Sequence, residues 1–541
     1  MQEINSPPSV DFIKQRLIDI AWDDAPIHPI IQRILMARGC RDLQAVSYDL
    51  SRLIHFDALT HANQMAQYLH DAIEHQQRIL IVGDYDVDGA TSIITMMEGL
   101  LSLGAKHVDY IVPNRFKTGY GLSLKLLPDV LAKKPDVVVT VDNGIMSHEA
   151  VDELMSLGIK VLITDHHQAG SSVPNATVVV NPNQPDGGDS LRALAGVGVA
   201  FYVICALRSL RRSLNHSVPS LGGLLDIVAL GTVADCVPLS YNNRLLVAKG
   251  LDRIHQGKAH PGIYQLIATT RTAYTEVTTQ TIGFQLGPKL NAAGRLDDMS
   301  VGVSALLGEG NADAIKQLDA FNEERKAIQQ HSVEDIIVAL SVSDQPIDDI
   351  IVVYDEHWHE GVLGLMASRI KDHFQRPTIV LSQAEPGVLK GSARSLTGIH
   401  LHHLLTSVHA NHPELIDQFG GHAMACGLCI KKSVLPKFRE VINQYARESL
   451  DVIAHREVIW HDGPLSPEDF TVDFVKKIQS LGPWGMGFPE PAFAQEFKVK
   501  DIRLLKDVHL KLLLQPENGL ASFEALYFNV PDELITTLTT E

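Results

Sequence analysis

A short apolar segment followed by three regularly spaced aspartates constrains this chain more than any other feature. Residues 79–82 read Ile-Leu-Ile-Val, which is typical of a strand buried on both faces. Asp84, Asp86 and Asp88 follow at intervals of two, so on extended backbone their side chains share one side. Carboxylates this close repel one another unless a cation lies between them, and divalent cations take oxygen ligands. The segment therefore predicts a metal site, and an acidic loop exposed to solvent is the alternative.

Two later strands of the same region are also predicted to end in polar residues. Predicted strands at 137–141 and 161–164 alternate with helical patterns, which indicates βαβ units and a parallel sheet. The first strand is followed by Asp142 and the second by residues 165–167, which read Asp-His-His. Carboxylates and imidazoles at the carboxyl edge of such a sheet suit Mn²⁺, Mg²⁺ or a similar cation. The two histidines can serve two metals, or one metal and a substrate phosphate.

Two further segments carry chemistry that the residues alone leave open. An apolar helical pattern ends at Asp235, which is either a further ligand or the residue of a simple C-terminal turn. Gly420 and Gly421 precede His422, and two glycines let the backbone approach a phosphate closely. A tight turn with a solvated histidine is the alternative interpretation of that segment.

Composition limits the class of protein and its partners. The formal net charge of −18 argues against a general nucleic-acid coat protein, but it leaves room for a nuclease with a local basic groove. Five cysteines in 541 residues indicate a reducing compartment, and we interpret Cys426 and Cys429 as packing residues. There is no signal-peptide pattern and no apolar run of membrane-spanning length. We therefore expect a cytoplasmic protein with no membrane partner.

The periodicity along the chain predicts five segments. Residues 1–75 are predicted to form an N-terminal helical arm, and residues 76–310 an α/β domain with a parallel sheet and a helical subdomain. A long charged helix is predicted to connect the domains at residues 311–345. A second α/β domain follows at 346–450. Short strands interleaved with lysines at 451–541 favour a small β-barrel of the oligonucleotide-binding kind.

The motifs named so far resemble those of the DHH phosphoesterase superfamily. Residues 165–167 are its eponymous motif, and DYDVDGAT, VDNG, TDHH and GTVADCVPL occur in the order of its four signature blocks. The later segments LNAAGRL, HEGVLGLMASR, GSARS, GGHAMACG and GPWGMGFPEP resemble the branch that degrades single-stranded DNA. The resemblance covers nearly all of the chain from about residue 20 to about residue 530.

This resemblance implies a fold and an activity. The fold is α/β: a DHH parallel-sheet domain with a helical insert, a long connecting helix, a second α/β domain called DHHA1 and a C-terminal OB-like β-barrel. The activity is that of a metal-dependent phosphodiesterase, a single-stranded-DNA-specific 5′→3′ exonuclease that releases 5′-mononucleotides with two Mn²⁺ or Mg²⁺ ions. The implied roles are DNA recombination, DNA repair and mismatch repair. The implied partners are single-stranded DNA with a 5′ end, a single-strand-binding protein and a RecQ-type helicase, and we expect a monomer.

The resemblance also implies the roles of individual residues. The metal ligands are Asp84, Asp86, Asp88, Asp142, His166, His167 and Asp235. Catalytic roles are implied for His167, Asp142, Asp165 and His422, with Asp165 orienting a histidine. Substrate contacts are implied for Arg115, Lys289, Asn291, Arg295, His359, Ser392, Arg394 and His422.

The chain departs from the family pattern at a few positions. Cys426 and Gly487-Phe488 stand where the pattern has Ala and Gly-Asn. The sequence also ends soon after Asn529, so we expect the last strand of the barrel to be missing or divergent.

Two other classes of function remain as alternatives. One is a DHH phosphodiesterase acting on oligoribonucleotides or cyclic dinucleotides, or a pyrophosphatase, although such relatives usually lack the LNAAGRL insert and the terminal barrel. The other is a non-catalytic DNA-binding scaffold, against which the retained aspartates and histidines argue.

Overall fold

The structure is a computed structural model that describes residues 13–184, 189–308, 311–342, 347–449, 458–506, 508–516, 521–528, 530 and 535. Two compact units divide the chain. The first comprises residues 40–325 and 478–490, and the second comprises residues 1–39, 326–477 and 491–541.

A five-stranded parallel sheet forms the centre of the first unit. Its strands are β1 (Ile79–Val82), β2 (Val108–Ile111), β3 (Val137–Val141), β4 (Lys160–Thr164) and β5 (Val178–Val180), in the order β2-β1-β3-β4-β5. Every residue of β1, β3 and β5 is buried, as in a parallel sheet whose two faces are both covered. The parallel α/β sheet predicted from the alternation of strands and helices is confirmed.

Helices surround this sheet and continue into the helical subdomain. Their bounds are Ala62–Glu74, Val87–Ser102, Leu127–Ala132, His148–Ser156, Gly196–Ser213, Leu225–Ala234, Tyr241–His255, Pro261–Ala268, Thr279–Thr281, Gly287–Leu296 and Ser300–Leu307, with a π-helical turn at Ile282–Leu286. The 3₁₀ turns are Leu43–Val46, Leu50–Arg52, Phe56–Ala58, Leu124–Leu126, Asp189–Leu191, Leu221–Leu224 and Tyr274–Glu276. A long helix, Asn311–Ser341, runs from the first unit into the second, where a charged connecting helix was predicted.

Glycines bring the central helices of this unit into close contact. A Cβ atom at Gly99 would lie 2.7 Å from Cγ1 of Ile204, and one at Gly231 would lie 2.1 Å from Oγ1 of Thr91. The helix Val87–Ser102 therefore packs tightly against both Gly196–Ser213 and Leu225–Ala234, and a larger residue at either glycine would separate them.

A buried ionic cluster joins several helices of the first unit. Asp226 is fully buried and accepts hydrogen bonds from the backbone N–H of His260 (2.6 Å) and from Nε of Arg253 (3.2 Å). The imidazole of His260 bridges two carboxylates, with Nδ1 2.7 Å from Asp226 and Nε2 2.9 Å from Glu98. Burial lowers the pKa of His260, but the hydrogen bonds to the two carboxylates outweigh it and raise the pKa to about 9.

We expect the free energy of unfolding to depend on pH through His260. Its folded pKa of about 9 exceeds the ordinary 6.5, so its contribution is complete below pH 6.5 and is lost as the pH rises through 9. The shift corresponds to on the order of 3 kcal/mol. Denaturant unfolding of the wild type and of His260→Gln, at about pH 6 and about pH 9.5, should show a difference that shrinks at the higher pH.

The control for this measurement is His55→Gln, whose side chain is 66% exposed beside Asp57. We expect that variant to follow the wild type at both pH values. A destabilisation of His260→Gln that stays the same at both pH values would contradict the assignment of a charged imidazole.

A mixed five-stranded sheet forms the centre of the second unit. Its strands are β6 (Ile351–Tyr354), β7 (Thr378–Glu385), β8 (Val388–Arg394), β9 (Gln418–Gly421) and β10 (Ala425–Lys431), in the order β9-β10-β8-β7-β6. Only β6 and β7 pair in parallel. The helices of this region are Leu363–Phe374, Leu401–Asn411 and Leu435–Ser449, with 3₁₀ turns at Glu360–Val362, Pro413–Leu415 and Lys432–Val434. Cys426, on β10, belongs to the apolar core of this unit, in keeping with a packing role.

The remaining part of the second unit contains a small antiparallel sheet. Its strands are β11 (Phe497–Leu505), β12 (His509–Pro516) and β13 (Phe523–Tyr527). These are three strands of the OB-like fold that was predicted, and the expected divergence after Asn529 concerns residues that lie mainly outside the described part. The short strand Ile13–Gln15 pairs in parallel with Ile459–His461. The other elements of the region are Pro29–Met36, Pro467–Asp469 and Val472–Ser480.

The pairing of Ile13–Gln15 ties the start of the described chain to a distant segment. Asp462 is buried and accepts hydrogen bonds from Nη1 of Arg16 (3.0 Å) and from Nη1 of Arg38 (2.8 Å). The sequence predicted a helical arm for residues 1–75, where the structure has the helices Pro29–Met36 and Ala62–Glu74, but it did not predict this strand. In the described ranges, no helix combines the length and the apolar character needed to cross a bilayer.

Candidate metal centre

The three aspartates after β1 reach the carboxyl edge of the sheet by different local structures. Asp84 lies two residues after the end of the strand and is buried. Asp86 begins the helix Val87–Ser102, and its Oδ1 accepts the N–H of Gly89 at 3.0 Å. Asp88 therefore lies in the first helical turn. The extended geometry predicted for all three residues is wrong for Asp88, because Asp86 caps a helix that starts at the very next residue.

Asp88 is held by a second helix of the first unit. Its two carboxylate oxygens accept the backbone N–H groups of Gly196 (2.6 Å) and Val197 (2.9 Å), where the helix Gly196–Ser213 begins. A Cβ atom at Gly196 would lie 2.4 Å from Oδ1 of Asp142, so only glycine permits this approach. Asp142 itself follows β3 with a φ of +61°, a left-handed conformation that aspartate tolerates better than most residues.

Asp165 organises the histidines that follow β4. One of its oxygens accepts the N–H groups of His166 (2.7 Å) and His167 (3.0 Å) and lies 2.8 Å from Nδ1 of His167. Its other oxygen accepts the N–H of Ile145 at 2.9 Å. Such contacts fix the ring of His167, and this is how a carboxylate orients a histidine ligand.

The structure brings the seven predicted ligands together at this edge. Nε2 of His166 lies 3.2 Å from Asp142, 3.6 Å from Asp235 and 3.8 Å from Asp88. The ligands form three overlapping groups, and within each group the donor atoms lie within 4.8 Å of one another. The groups are Asp84/Asp86/Asp142, Asp142/His166/His167 and Asp88/His166/Asp235. Asp142 and His166 each belong to two groups, which suits two neighbouring ions with shared or adjacent ligands.

The raised pKa values of the carboxylates in this cluster indicate a site for a cation. Burial and the neighbouring carboxylate of Asp86 raise the pKa of Asp88 to about 7. Burial and Asp88 raise the pKa of Asp235 to about 9, and they hold the pKa of Asp142 well above its usual range. Burial and the adjacent Asp86 likewise raise the pKa of Asp84. Ionised carboxylates in such a cluster are costly without positive charge between them.

The two histidines differ sharply in their electrostatics. Burial and the neighbouring His167 lower the pKa of His166 to about 4, which keeps its imidazole neutral and ready to bind a metal. Burial lowers the pKa of His167, but the hydrogen bond and the charge of Asp165 outweigh it and raise the pKa to about 9. Oδ1 of Asp84, Oδ1 of Asp142 and Nε2 of His166 are buried and make no hydrogen bond within the described residues. These orphaned atoms and the oxygen-rich donor set fit divalent ions.

Several residues that support the centre were not found by sequence reasoning. The hydroxyl of Tyr120 lies 3.3 Å from the carbonyl oxygen of Asp142 and 3.4 Å from Nδ1 of His167. Asn143 donates to the carbonyl of Val82 at 2.9 Å, which ties the ends of β1 and β3 together. The side chains of Asn181 and Asn183 donate to the carbonyls of His167 and His166. Asn143 lies two residues after β3 and Asn181 directly after β5, so both could have been given a role as polar residues at strand ends. Tyr120 lies in a loop whose path the sequence did not indicate.

The predicted substrate residues of the first unit lie around the loop of residues 84–88. The guanidinium of Arg115 stacks 4.2 Å from the ring centre of Tyr85. Asn291 accepts a hydrogen bond from the N–H of Val87 at 3.2 Å. The helix Gly287–Leu296, which contains Asn291, therefore contacts the start of the helix Val87–Ser102. Arg295 lies in the last turn of the same helix, Gly287–Leu296.

Lys289 lies in this helix too, but it makes internal contacts. Its Nζ is 2.6 Å from Asp319 and also donates to the hydroxyl of Thr269. Its side chain is largely buried, so these contacts hold the helix Gly287–Leu296 against the start of the long helix Asn311–Ser341.

Four predicted residues lie in the second unit. Ser392 and Arg394 stand on β8, where Nη1 of Arg394 donates to Oγ of Ser392 at 2.9 Å. A Cβ atom at Gly364 would lie 2.6 Å from Nη2 of Arg394, so the guanidinium rests on the start of the helix Leu363–Phe374. His359 precedes that helix and accepts the N–H of Gly361. His422 occupies the turn between β9 and β10, and β10 pairs with β8.

Family models match three regions of the chain. The DHH family, N-terminal domain, covers residues 78–232, the DHHA1 domain covers residues 348–448, and the RecJ OB domain covers residues 461–540. Together with the Asp-His-His motif at the sheet edge, these matches define a DHH phosphoesterase.

Comparisons with individual proteins narrow the class. The chain is 39% identical over 535 residues to the single-stranded-DNA-specific exonuclease RecJ of Escherichia coli K12, covering 96% of this chain and 93% of that protein. It is 40% identical over 539 residues to the RecJ of Haemophilus influenzae, covering 97% of this chain and 94% of that protein. The crystal structure of RecJ in complex with Mn²⁺ from Thermus thermophilus superposes with a TM-score of 0.77 and 27% identity, over 96% of this chain and 77% of the other. The chain belongs to the RecJ family.

Proposed function

We propose that this protein is an exonuclease specific for single-stranded DNA. It degrades the strand in the 5′→3′ direction, releases 5′-mononucleotides and serves DNA recombination and repair, including mismatch repair. The convergence of seven metal-ligand side chains at the carboxyl edge of the parallel sheet carries this proposal. Near-complete coverage at 39% identity to a RecJ exonuclease supports the choice of substrate.

The proposed cofactor is a pair of Mn²⁺ or Mg²⁺ ions. Its ligands would be Asp84, Asp86, Asp88, Asp142, His166, His167 and Asp235. Such ions lower the pKa of water and neutralise the charge that develops on phosphoryl oxygens. Asp165 keeps the ring of His167 in place, and the backbone N–H groups of Gly196 and Val197 keep Asp88 in place. The protein therefore presents a preorganised set of donors and needs little rearrangement during the reaction.

The 5′-phosphate is proposed to bind at Ser392 and Arg394, with His422 near the scissile phosphate. Burial lowers the pKa of Arg394, and among the described residues no carboxylate forms an ion pair with it. A buried cation without an anionic partner has a strong tendency to bind one. Arg115, Arg295, Asn291, Lys289 and His359 are proposed as further substrate contacts.

We expect Arg394→Ala to lose its preference for DNA that carries a 5′-phosphate. A bidentate guanidinium–phosphate contact contributes roughly 2 kcal/mol, so kcat/KM on phosphorylated ends should fall roughly 30-fold. Activity on 5′-hydroxyl ends should change much less. The control is Lys390→Ala on the same strand, because Lys390 is already paired with Glu360 at 3.0 Å. An unchanged ratio between the two kinds of end would refute the role of Arg394.

The proposed function is tested with single-stranded DNA labelled at either the 5′ or the 3′ end. We expect immediate release of labelled mononucleotide from the 5′ label with Mn²⁺ and none with EDTA, because the ligand cluster requires the ions. Duplex DNA of the same sequence serves as the control and should resist digestion. Mononucleotide released first from the 3′ label would overturn the polarity, and tight DNA binding without cleavage would favour a scaffold.

The family also suggests where and with whom the protein acts. We propose that it works in the cytoplasm as a monomer and cooperates with a single-strand-binding protein and a RecQ-type helicase. Both partners would supply single strands to an enzyme that needs a free 5′ end. Sedimentation of the pure protein, and its co-sedimentation with each partner, test these points.

A further inference from the structure

A surface cavity lies in the first unit, away from the residues assigned to the metal centre. It has a volume of about 360 Å³ and is lined by Glu98, Ser102, Pro219, Ser220, Leu221, Gly223, Leu224, Arg253, Lys258, Ala259 and His260. None of the metal ligands is among these lining residues. The volume lies within the range of small-molecule sites.

The charge of this cavity differs from that of the whole chain. Arg253, Lys258 and His260 contribute cationic groups to the lining, against the carboxylate of Glu98 in the lining and that of Asp226 behind it. These groups leave a balance of one positive charge, whereas the formal net charge of the chain is −18, so the cavity is a local departure that favours an anion. Glu98 is already engaged by His260 at 2.9 Å, which reduces its repulsion of an incoming anion.

The cationic groups are held in place by contacts behind the cavity. Arg253 uses Nε to bind Asp226 at 3.2 Å and Nη2 to bind the carbonyl of Lys258, and neither of these contacts within the described residues uses Nη1. Lys258 is exposed, and its Nζ donates to the neutral amide of Gln256 at 3.0 Å. A planar guanidinium fixed in this way, beside a mobile ammonium, is a suitable arrangement for a phosphate group.

Apolar residues form another part of the lining. Leu221 and Leu224, both largely buried, lie in the 3₁₀ turn at Leu221–Leu224, flanked by Pro219, and Ala259 is the residue between Lys258 and His260. The hydroxyl-bearing residues Ser102 and Ser220 also line the cavity. A ligand that fits must combine a phosphate with a flat apolar group and a few hydrogen-bonding atoms, and a nucleotide does so.

One helix of the cavity wall also carries a proposed metal ligand. The helix Val87–Ser102 has Asp88 in its first turn and the lining residues Glu98 and Ser102 at its other end. The lining residue Leu224 directly precedes a second helix, Leu225–Ala234, which ends beside Asp235. A ligand in the cavity would thus contact a helix that holds a proposed metal ligand at its opposite end.

We propose that this cavity is a second binding site, for a nucleoside 5′-monophosphate, with the phosphate between Arg253 and Lys258 and the base on Leu221 and Leu224. The ligand class rests in part on the proposed function, because nucleoside 5′-monophosphates are what that activity releases. Binding at the cavity itself requires neither metal nor catalysis.

The test is a titration of the full-length protein with dAMP by calorimetry in the presence of EDTA. We expect one binding event for dAMP, and at least about tenfold weaker binding for deoxyadenosine and for inorganic phosphate, since each lacks half of the contacts. Lys258→Glu and Ser102→Glu both place a carboxylate at the cavity and should each weaken dAMP binding about tenfold or more. The matched control is Lys133→Glu, an equal change of charge at an exposed lysine paired with Asp109.

The outcomes distinguish a failure of the cavity as a binding site from a failure of the proposed function. Equal affinities of the wild type, Lys258→Glu and Ser102→Glu for dAMP would overturn the cavity as the site, as would deoxyadenosine binding as tightly as dAMP. A wild type that degrades single-stranded DNA but does not bind dAMP in EDTA overturns this inference and leaves the proposed function intact. A wild type that binds dAMP at the cavity but does not degrade DNA supports the site and overturns the proposed function.

Discussion

Replacing Asp142 by asparagine should abolish exonuclease activity and yet stabilise the metal-free protein. Asp142 belongs to two of the three donor groups, so its loss removes a carboxylate from both, and we expect kcat to fall roughly a thousandfold or more. Asparagine keeps the shape of the side chain and tolerates the left-handed backbone, where φ is +61°.

The stabilisation follows from the electrostatics of the cluster. Burial and the neighbouring carboxylates hold the pKa of Asp142 well above its usual range, so its negative charge is unfavourable when no cation is bound. We expect the free energy of unfolding in EDTA to rise and the stabilisation by added Mn²⁺ to shrink.

Thermal unfolding with EDTA and with Mn²⁺, together with the end-label assay, measures both effects. The control is Asp152→Asn on the exposed face of the helix His148–Ser156, which should change neither activity nor stability. An Asp142→Asn protein that remains active, or that is less stable than the wild type in EDTA, would contradict the assigned role.

The second large effect is expected from a single methyl group at Gly294. A Cβ atom there would lie 1.8 Å from the carbonyl oxygen of Tyr85, which is backbone and cannot move aside as a flexible side chain would. The helix Gly287–Leu296 would have to separate from the loop that carries Asp84 and Asp86. The hydrogen bond from the N–H of Val87 to Asn291 (3.2 Å) would be lost with it.

We expect Gly294→Ala to lower the exonuclease kcat roughly 100-fold and the free energy of unfolding by about 2 kcal/mol, as overpacking does. Activity and denaturant unfolding should be measured in parallel with Gly302→Ala. A Cβ atom at Gly302 would lie 3.0 Å from the flexible end of Met299 and 3.7 Å from Cδ2 of Leu290, so that variant should behave nearly as the wild type. If both glycine variants lost activity to the same extent, close packing at Tyr85 would not be the cause.

The sequence predicted the parallel sheet well because three of its strands, β1, β3 and β4, are short apolar runs followed within two residues by an aspartate. That same pattern predicted which side chains converge, since the carboxyl ends of parallel strands share one edge. Local backbone detail was harder to predict. Asp88 was expected on extended chain, but Asp86 caps a helix and places it in a helical turn.

Long-range packing is the other part that local pattern could not predict. Tyr120 reaches His167 and the carbonyl of Asp142 only because its loop folds across the sheet edge. Lys289 was predicted as a substrate contact, and its ammonium is paired with Asp319, which lies thirty residues further along the chain. The sequence did not indicate this ion pair, because the two residues belong to different helices and are distant along the chain.

The proposed ligands of the metal centre come from four separate stretches of one chain, from Asp84 to Asp235. Ions that bind these residues connect segments up to about 150 residues apart, as cross-links would, and each such connection closes a loop of the chain. The unfolded chain has no such set of donors within reach, so the binding free energy of the ions adds to the folding free energy of the whole first unit. The ligand atoms proposed for catalysis therefore also stabilise the fold when ions are bound. The resistance of this unit to unfolding and proteolysis then depends on the concentration of available metal ions.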